Sequence, residues 1–224
     1  GMKPVVENAK KFGITNYMPP VLSMALGAGE TSLLKLTMAY AMLVNGGKKV
    51  DPIFIDRIQN RYGETIFRTD SRACLECDAM WTGQNPPELA DNRESLLNPQ
   101  TAYQVVSMLE GVVIRGTGRT IRAVGKPLAG KTGTTNDSRD AWFVGFSPDL
   151  AVGVYVGFDT PQTLGDGETG GRVAAPIFRN FMKAALRDAP ATPFRIPPSV
   201  KLVRVNAKTG ELAQAGDRSV ILEA

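Results

Sequence analysis

The sequence contains no histidine. That removes Ser-His-Asp and Cys-His catalysis, both of which need an imidazole as general base, and it takes away a principal ligand of catalytic zinc. Cysteine is almost as scarce, with Cys74 and Cys77 the only two. They stand as C-x-x-C with no second pair to complete a zinc site, and the loop around them lacks the strand–helix setting of a redox motif. Neither a metal nor a cofactor is expected. No apolar run reaches the roughly 18 residues that span a bilayer as a helix. The most apolar stretch, Leu150 to Phe158, contains Gly153 and Gly157 and reads as a strand. No secretory leader is expected from the opening Gly1-Met2-Lys3-Pro4, which reads directly into an amphipathic helix. The chain therefore reads as a mature soluble domain or as a piece of something longer. Neither sign of charge dominates: 26 Lys and Arg stand against 22 Asp and Glu, a net +4, and the charges are interspersed. Nucleic acid is not an expected partner.

What is present suits a globular protein. Hydrophobic residues make up 43% and charged residues 21% of 224, enough for a sizeable core. Val5, Val6, Ala9 and Phe12 before Gly13 predict a helix over Lys3–Phe12. Thr31 or Ser32 caps a second helix, Leu33–Val44, which stops at Asn45-Gly46-Gly47. Alternation from Ile53 to Thr69 about Arg61-Tyr62-Gly63 predicts a hairpin. Residues from about 70 to 97 are polar, hold Cys74, Cys77, Pro86 and Pro87, and read as an inserted loop. Asn98-Pro99 opens a helix that runs to Ile114 with Val105, Val106, Leu109, Val112 and Val113 inward, and Gly116-Thr117-Gly118 ends it. Three strands follow, Pro127–Thr134, Ala141–Phe146 and Leu150–Phe158, the last two joined at Ser147-Pro148-Asp149. A glycine-rich loop, Gly165–Gly171, precedes a helix Val173–Leu186 with Ile177, Phe178, Phe181 and Met182 on one face. The tail opens proline-rich and then predicts a hairpin, Val200–Val205 and Leu212 onward, about Lys208-Thr209-Gly210. There is no internal repeat.

The chemistry concentrates between Val124 and Trp142. Gly125 to Thr132 matches G-x-x-x-x-G-K-[ST], and Val152–Asp159 imitates the acidic strand end that accompanies a nucleotide loop. A phosphate loop, however, joins a buried strand to a helix N-terminus. Here Arg115–Thr120 is no buried strand, and Gly133–Ser138 strings together poor helix formers before the strand-like Ala141-Trp142-Phe143-Val144. The other reading is a strand carrying Lys131-Thr132-Gly133-Thr134-Thr135 and followed by a hairpin. Such an edge accepts an extended peptide as an added strand. Gly133 lets the backbone come close. The hydroxyls of Thr132 and Thr134 can donate to a terminal carboxylate, and Lys131 supplies a positive field. On these residues alone a threonine-rich strand start explains the pattern as well. Asp137, Arg139 and Asp140 border the groove or form a solvated turn, and Thr169 to Arg172 border the cleft or form a helix stop. Trp142 and Phe143 read as hairpin core.

Four stretches in order settle the choice between the two. They are Ala25–Thr31 with the helix Leu34 to Gly47; Leu109–Val113 leading to Gly116-Thr117-Gly118; Gly130–Thr135 running into Asp140–Phe146; and Gly170-Gly171 running into Ala174–Phe178. Together they resemble the transpeptidase domain of class A penicillin-binding proteins of the 1A type. The resemblance covers most of Lys3–Leu186, and the tail is similar to the group's C-terminal extension. It implies an α+β fold, an antiparallel sheet flanked by helices, in which residues 1–187 form the C-terminal portion of the transpeptidase domain and 188–224 a linker and hairpin extension.

By the same resemblance, Lys131 and Thr134 are catalytic-site residues, with the Thr134 N–H one of two oxyanion donors, and Thr132, Gly133, Thr134 and Thr135 hold substrate. The activity implied is serine acyl transfer that cross-links peptidoglycan stem peptides and that β-lactams intercept. The parent would be anchored at the outer face of the bacterial cytoplasmic membrane and would carry a separate glycosyltransferase domain. That compartment permits disulfides and favours a local Cys74–Cys77 bridge.

The family also uses S-x-x-K and S-x-N motifs. Ser32-Leu33-Leu34-Lys35 has the first spacing but falls in the helix that resembles the segment after S-x-N, so Ser32 is read as a cap. No S-x-N follows it, and the chain reads as beginning just after that motif, with two sheet strands and the nucleophile lying elsewhere. A second polypeptide or self-association would then cover the bared apolar surface. The alternative function is a non-catalytic scaffold of the same fold, and a nucleotide hydrolase comes third. A fluorescent penicillin is expected to leave this 224-residue chain unlabelled when it is expressed alone; covalent labelling at Ser32 would overturn that assignment.

Overall fold

The computed structural model describes residues 1–72, 74, 77, 79–80, 82–83 and 89–224. Gly1–Lys49 and Ser95–Ala224 form one compact unit, and Val50–Glu94 forms a second. The prolines at 86 and 87 lie outside the described residues.

The first unit is built on a three-stranded antiparallel sheet. Its strands are β3 (Ala129–Thr134), β4 (Ala141–Phe146) and β5 (Ala151–Val156), in that spatial order. Short connections set this order, because β4 and β5 turn at Ser147, whose N–H donates to the Leu150 carbonyl at 2.9 Å. The strands preceding them in numbering, β1 (Arg57–Gln59) and β2 (Thr65–Arg68), belong to the second unit.

Four helices accompany the sheet: α1 (Lys3–Lys11), α2 (Leu33–Val44), α3 (Pro99–Ile114) and α4 (Ala174–Ala185). The caps read from sequence close two of them. Ser32 Oγ accepts the Lys35 N–H at 3.3 Å, and Asn98 Oδ1 accepts the Gln100 N–H at 2.9 Å. Residues 22–26 and 119–124 form short 3₁₀ turns that the sequence pattern did not signal.

Strand alternation divides the core in two. Ala141 and Phe143 of β4 face α4 and pack with Ala174, Ala175, Phe178 and Met182, all fully buried. On the other face Ala129 and Phe146 pack with Val106 of α3, Tyr40 and Leu43 of α2, and Phe194 from the tail. Gly153 lets α2 come close to β5, since a Cβ there would collide with Thr37 and Leu33. Of the five α3 residues expected inward, Val106 and Val113 are buried, while Val105, Leu109 and Val112 are half-buried. The α4 face is narrower than its pattern suggested. Phe178 and Met182 are inward, but Ile177 and Phe181 are 48% and 51% exposed, because the sheet covers only one row of the helix.

The C-terminal tail differs from its expected pairing. The Lys208-Thr209-Gly210 turn forms, with the Ala213 N–H returning to the Arg204 carbonyl at 2.8 Å. The main ladder, however, joins β6 (Val203–Asn206) to β7 (Val220–Glu223), and Leu212 makes a single bridge. The run 220–223 is a better β-former than the polar 211–216, so it wins the longer pairing. The tail is fastened to α3 by Arg115–Glu223 at 2.7 Å and by Gln100–Ser199.

In the second unit β1 and β2 form the hairpin expected about Gly63, shorter than the alternation suggested. Cys74 and Cys77 are joined in a disulfide. This unit takes in the hairpin and most of the loop stretch together.

Phe178 is fully buried, with its ring 4.7 Å from that of Phe143. Phe178→Ala is expected to cost about 3–5 kcal/mol, measured by urea unfolding of the purified chain; a loss below about 1 kcal/mol would contradict this packing.

Candidate active site

The Lys131–Thr135 segment is extended, and β3 runs through Thr134 paired antiparallel with β4. No helix N-terminus follows, because Asn136–Ser138 is a single turn with Asp137 at φ 59° and Ser138 at φ 49°. The phosphate-loop reading ends here, since such a loop needs a helix start to hold the anion.

β3 is an edge strand, and its register states which backbone groups are free. The Thr135 N–H donates to the Asp140 carbonyl at 3.1 Å. Bonded and non-bonded pairs alternate along an antiparallel ladder. Gly133↔Trp142 and Lys131↔Val144 are therefore bonded pairs, and the N–H and C=O groups of Gly130, Thr132 and Thr134 turn to the outer edge of the sheet, where no strand pairs among the described residues. The lysine corroborates this: Lys131 Nζ donates to the outward Thr132 carbonyl at 2.9 Å.

Side chains alternate in the same way. Lys131 and Gly133 share the face of Val144 and Trp142, while Thr132 and Thr134 share the face of Phe143 and Ala141. Lys131 Nζ lies 3.4 Å from Thr132 Oγ1, and Thr132 Oγ1 lies 2.8 Å from Thr117 Oγ1. Thr134 Oγ1 accepts the Gly170 N–H at 3.0 Å, which leaves its proton free to donate. The glycine-rich loop thus borders the strand. Gly170 is required there, because a Cβ would strike the Gly133 and Trp142 carbonyl oxygens.

Thr135 and Asp140 close the turn between β3 and β4, with the Asp140 N–H donating to Thr135 Oγ1 at 2.8 Å. Asp137 and Arg139 form an exposed ion pair at 3.2 Å, a solvated turn. The Tyr155 hydroxyl donates to Asp140 Oδ1 at 2.9 Å, and its ring lies 4.8 Å from Trp142. Trp142 is half-buried on the Lys131 face, whereas Phe143 is full core, so the pair read together as core divides between the two faces. Sequence reasoning missed the roles of Thr117 and Tyr155. Thr117 stood in what looked like a helix stop, and its partner is 15 residues on; only the cross-strand register brings Tyr155 to Trp142.

β3 thus presents an edge with outward amides, two hydroxyls and an ammonium grouped along it. Residues 9–183 match the family described as penicillin binding protein transpeptidase domain, and the chain belongs to that family. Among its relatives is the penicillin-binding protein 1A of Rickettsia conorii, 44% identical over 219 residues, a match covering 96% of this chain and 28% of that protein. The protein of the same name from Neisseria gonorrhoeae is 39% identical over 193 residues, covering 85% of this chain and 22% of its own. The crystal structure of penicillin-binding protein 1A from Haemophilus influenzae superposes with a TM-score of 0.83 at 29% identity, covering 100% of this chain and 36% of that one. The fold is shared with penicillin-binding protein PonA1 from Mycobacterium tuberculosis, at a TM-score of 0.72 and 24% identity over 89% of this chain and 53% of that one. The chain spans less than a third of the length of the curated relatives it matches.

The hydrogen bond to Asp140, with the carboxylate charge behind it, raises the Tyr155 pKa above its ordinary value. The raised pKa favours the folded state while the phenol is neutral; this contribution is complete below about pH 10 and is lost as pH rises through the shifted pKa. Asp140→Asn is expected to bring the phenol back toward about 10, read by ultraviolet absorbance titration against a Tyr155→Phe blank. An unchanged titration would rule out the contact.

Proposed function

We propose that this chain supplies the Lys-Thr-Gly-Thr wall of a serine D,D-transpeptidase that cross-links peptidoglycan stem peptides and is acylated by β-lactams. The observation that carries the proposal is the open edge of β3. It offers backbone donors to an extended ligand, with Lys131, Thr132 and Thr134 grouped along it. In this reading the donor stem peptide lies along β3 as an added strand. Its terminal carboxylate meets the hydroxyls of Thr132 and Thr134 in the field of Lys131. The outward N–H of Thr134 stabilises the oxyanion that forms at the penultimate carbonyl. Gly133 keeps that approach clear of a side chain, and Thr135 fixes the strand end through Asp140. A serine beyond these residues attacks the carbonyl, the terminal D-alanine leaves, and an amine of a neighbouring peptide takes the acyl group.

Ser32 is read as a helix cap and not as that serine. Its hydroxyl accepts the Lys35 N–H as a helix cap. The remaining machinery sits on further parts of the transpeptidase domain. A groove of about 540 Å³ between α1 and α2, lined by Val5, Phe12, Met18, Met24, Leu36 and Tyr40, supports a partner segment there. That segment is the rest of the domain or, failing it, a second copy of the chain. In its full-length form the protein would be anchored at the outer face of the bacterial cytoplasmic membrane, where peptidoglycan is built.

In the full-length protein, Lys131→Ala should slow acylation by a fluorescent penicillin roughly ten- to a hundredfold, the loss of one charge-assisted contact. Labelling at the parent rate would remove Lys131 from the site and, with it, the proposal.

A further inference from the structure

Thr117 lies in the connection between α3 and β3, exposed to solvent. Among the described residues its hydroxyl is paired with Thr132 Oγ1, at 2.8 Å. A loop hydroxyl on the surface would ordinarily rotate among waters. This one is held in place from three directions. The Gly116 and Gly118 N–H groups both donate to the Val112 carbonyl, at 3.1 and 3.0 Å, which curls the loop over the end of α3. Gly171 lies beneath the Thr117 carbonyl, so close that a Cβ there would sit 3.1 Å from the oxygen. Arg115, two residues earlier, is tied to Glu223 of β7. The β-branched side chain adds its own rotamer restriction.

We propose that Thr117 is a positioning residue for carboxylate recognition, acting through Thr132. The inference rests on the reading of Lys131, Thr132 and Thr134 as a carboxylate site and extends it by one residue. Thr132 has one proton to give. Its oxygen can accept from Thr117 while its proton points to the ligand. The Thr117 O–H then donates to Thr132, and Thr132 donates to the carboxylate. In such a chain each bond polarises the next, and the Thr132 rotor is set before the ligand arrives. Without Thr117 the Thr132 proton is free to turn toward water or toward the loop. Thr117 touches no reacting atom in this scheme, so its effect falls on recognition of the acid group.

The test separates this role from simple support of the loop. In the full-length protein, acylation rates are measured for benzylpenicillin and for its methyl ester, which lacks the charge, by competition with a fluorescent penicillin. The quantity read is the ratio of acid to ester rates. Thr117→Val is expected to lower the ratio roughly three- to tenfold, the range for one hydrogen bond, and Thr117→Ser to restore it. A merely structural role would depress both rates together and leave the ratio unchanged, which would overturn the inference. Lys131→Ala and Thr132→Val are measured alongside. If they lower the ratio and Thr117→Val does not, the carboxylate site stands and the role of Thr117 falls. If neither lowers it, the site reading falls and takes this inference with it. Should Thr117→Val fail to fold, Thr117→Ala carries the same comparison.

Discussion

The pairing of β3 with β4 is the constraint on which the rest of the structure depends. Six residue pairs, from Ala129↔Phe146 to Thr134↔Ala141, fix the register. A shift of one residue would exchange the two faces of β3. Lys131 would then stand where Thr132 stands, and the Thr134 amide would turn inward to β4. The spacing Lys-Thr-Gly-Thr acquires its chemistry only in the register observed. Phe143 and Phe146 hold that register by occupying separate cores on opposite faces of β4. Neither ring can change sides without emptying one core and overfilling the other.

The surrounding elements act on this strand by close approach. Gly170 brings a backbone N–H to Thr134, and the Gly116-Thr117-Gly118 turn brings a hydroxyl to Thr132. Both neighbours are glycine-flanked loops at helix ends, one before α4 and one after α3. Helix ends suit this use because their position is set by packing while their last residues remain free to bend. A polar strand edge is thereby furnished from two sides without burying an unpaired charge.

Much of the local structure was legible in the sequence. The caps at Ser32 and Asn98, the strand Ala141–Phe146 and the α3 boundaries follow from capping chemistry and periodicity, which are short-range effects. The tail pairing and the buried side of α4 were less legible, for one reason. Each depends on which apolar surface reaches another first. Residues 211–213 and 220–223 compete for β6, and the longer apolar run takes the ladder. Ile177 and Phe181 continue the α4 pattern, yet the sheet is too narrow to cover them.

The sequence by itself determined the elements and the chemical types at the site: a lysine, three threonines and a glycine on an extended segment, in a chain with no histidine to serve as a base. Four spaced stretches were enough to indicate the family. Tertiary structure decided which groups face one another. It joined Thr117 to Thr132, Gly170 to Thr134 and Tyr155 to Asp140, and it turned the Thr132 and Thr134 amides to the open edge. The physical reason is that a residue's type is local, whereas the direction of a side chain or an amide depends on strand register, and register is settled by the packing of the whole sheet.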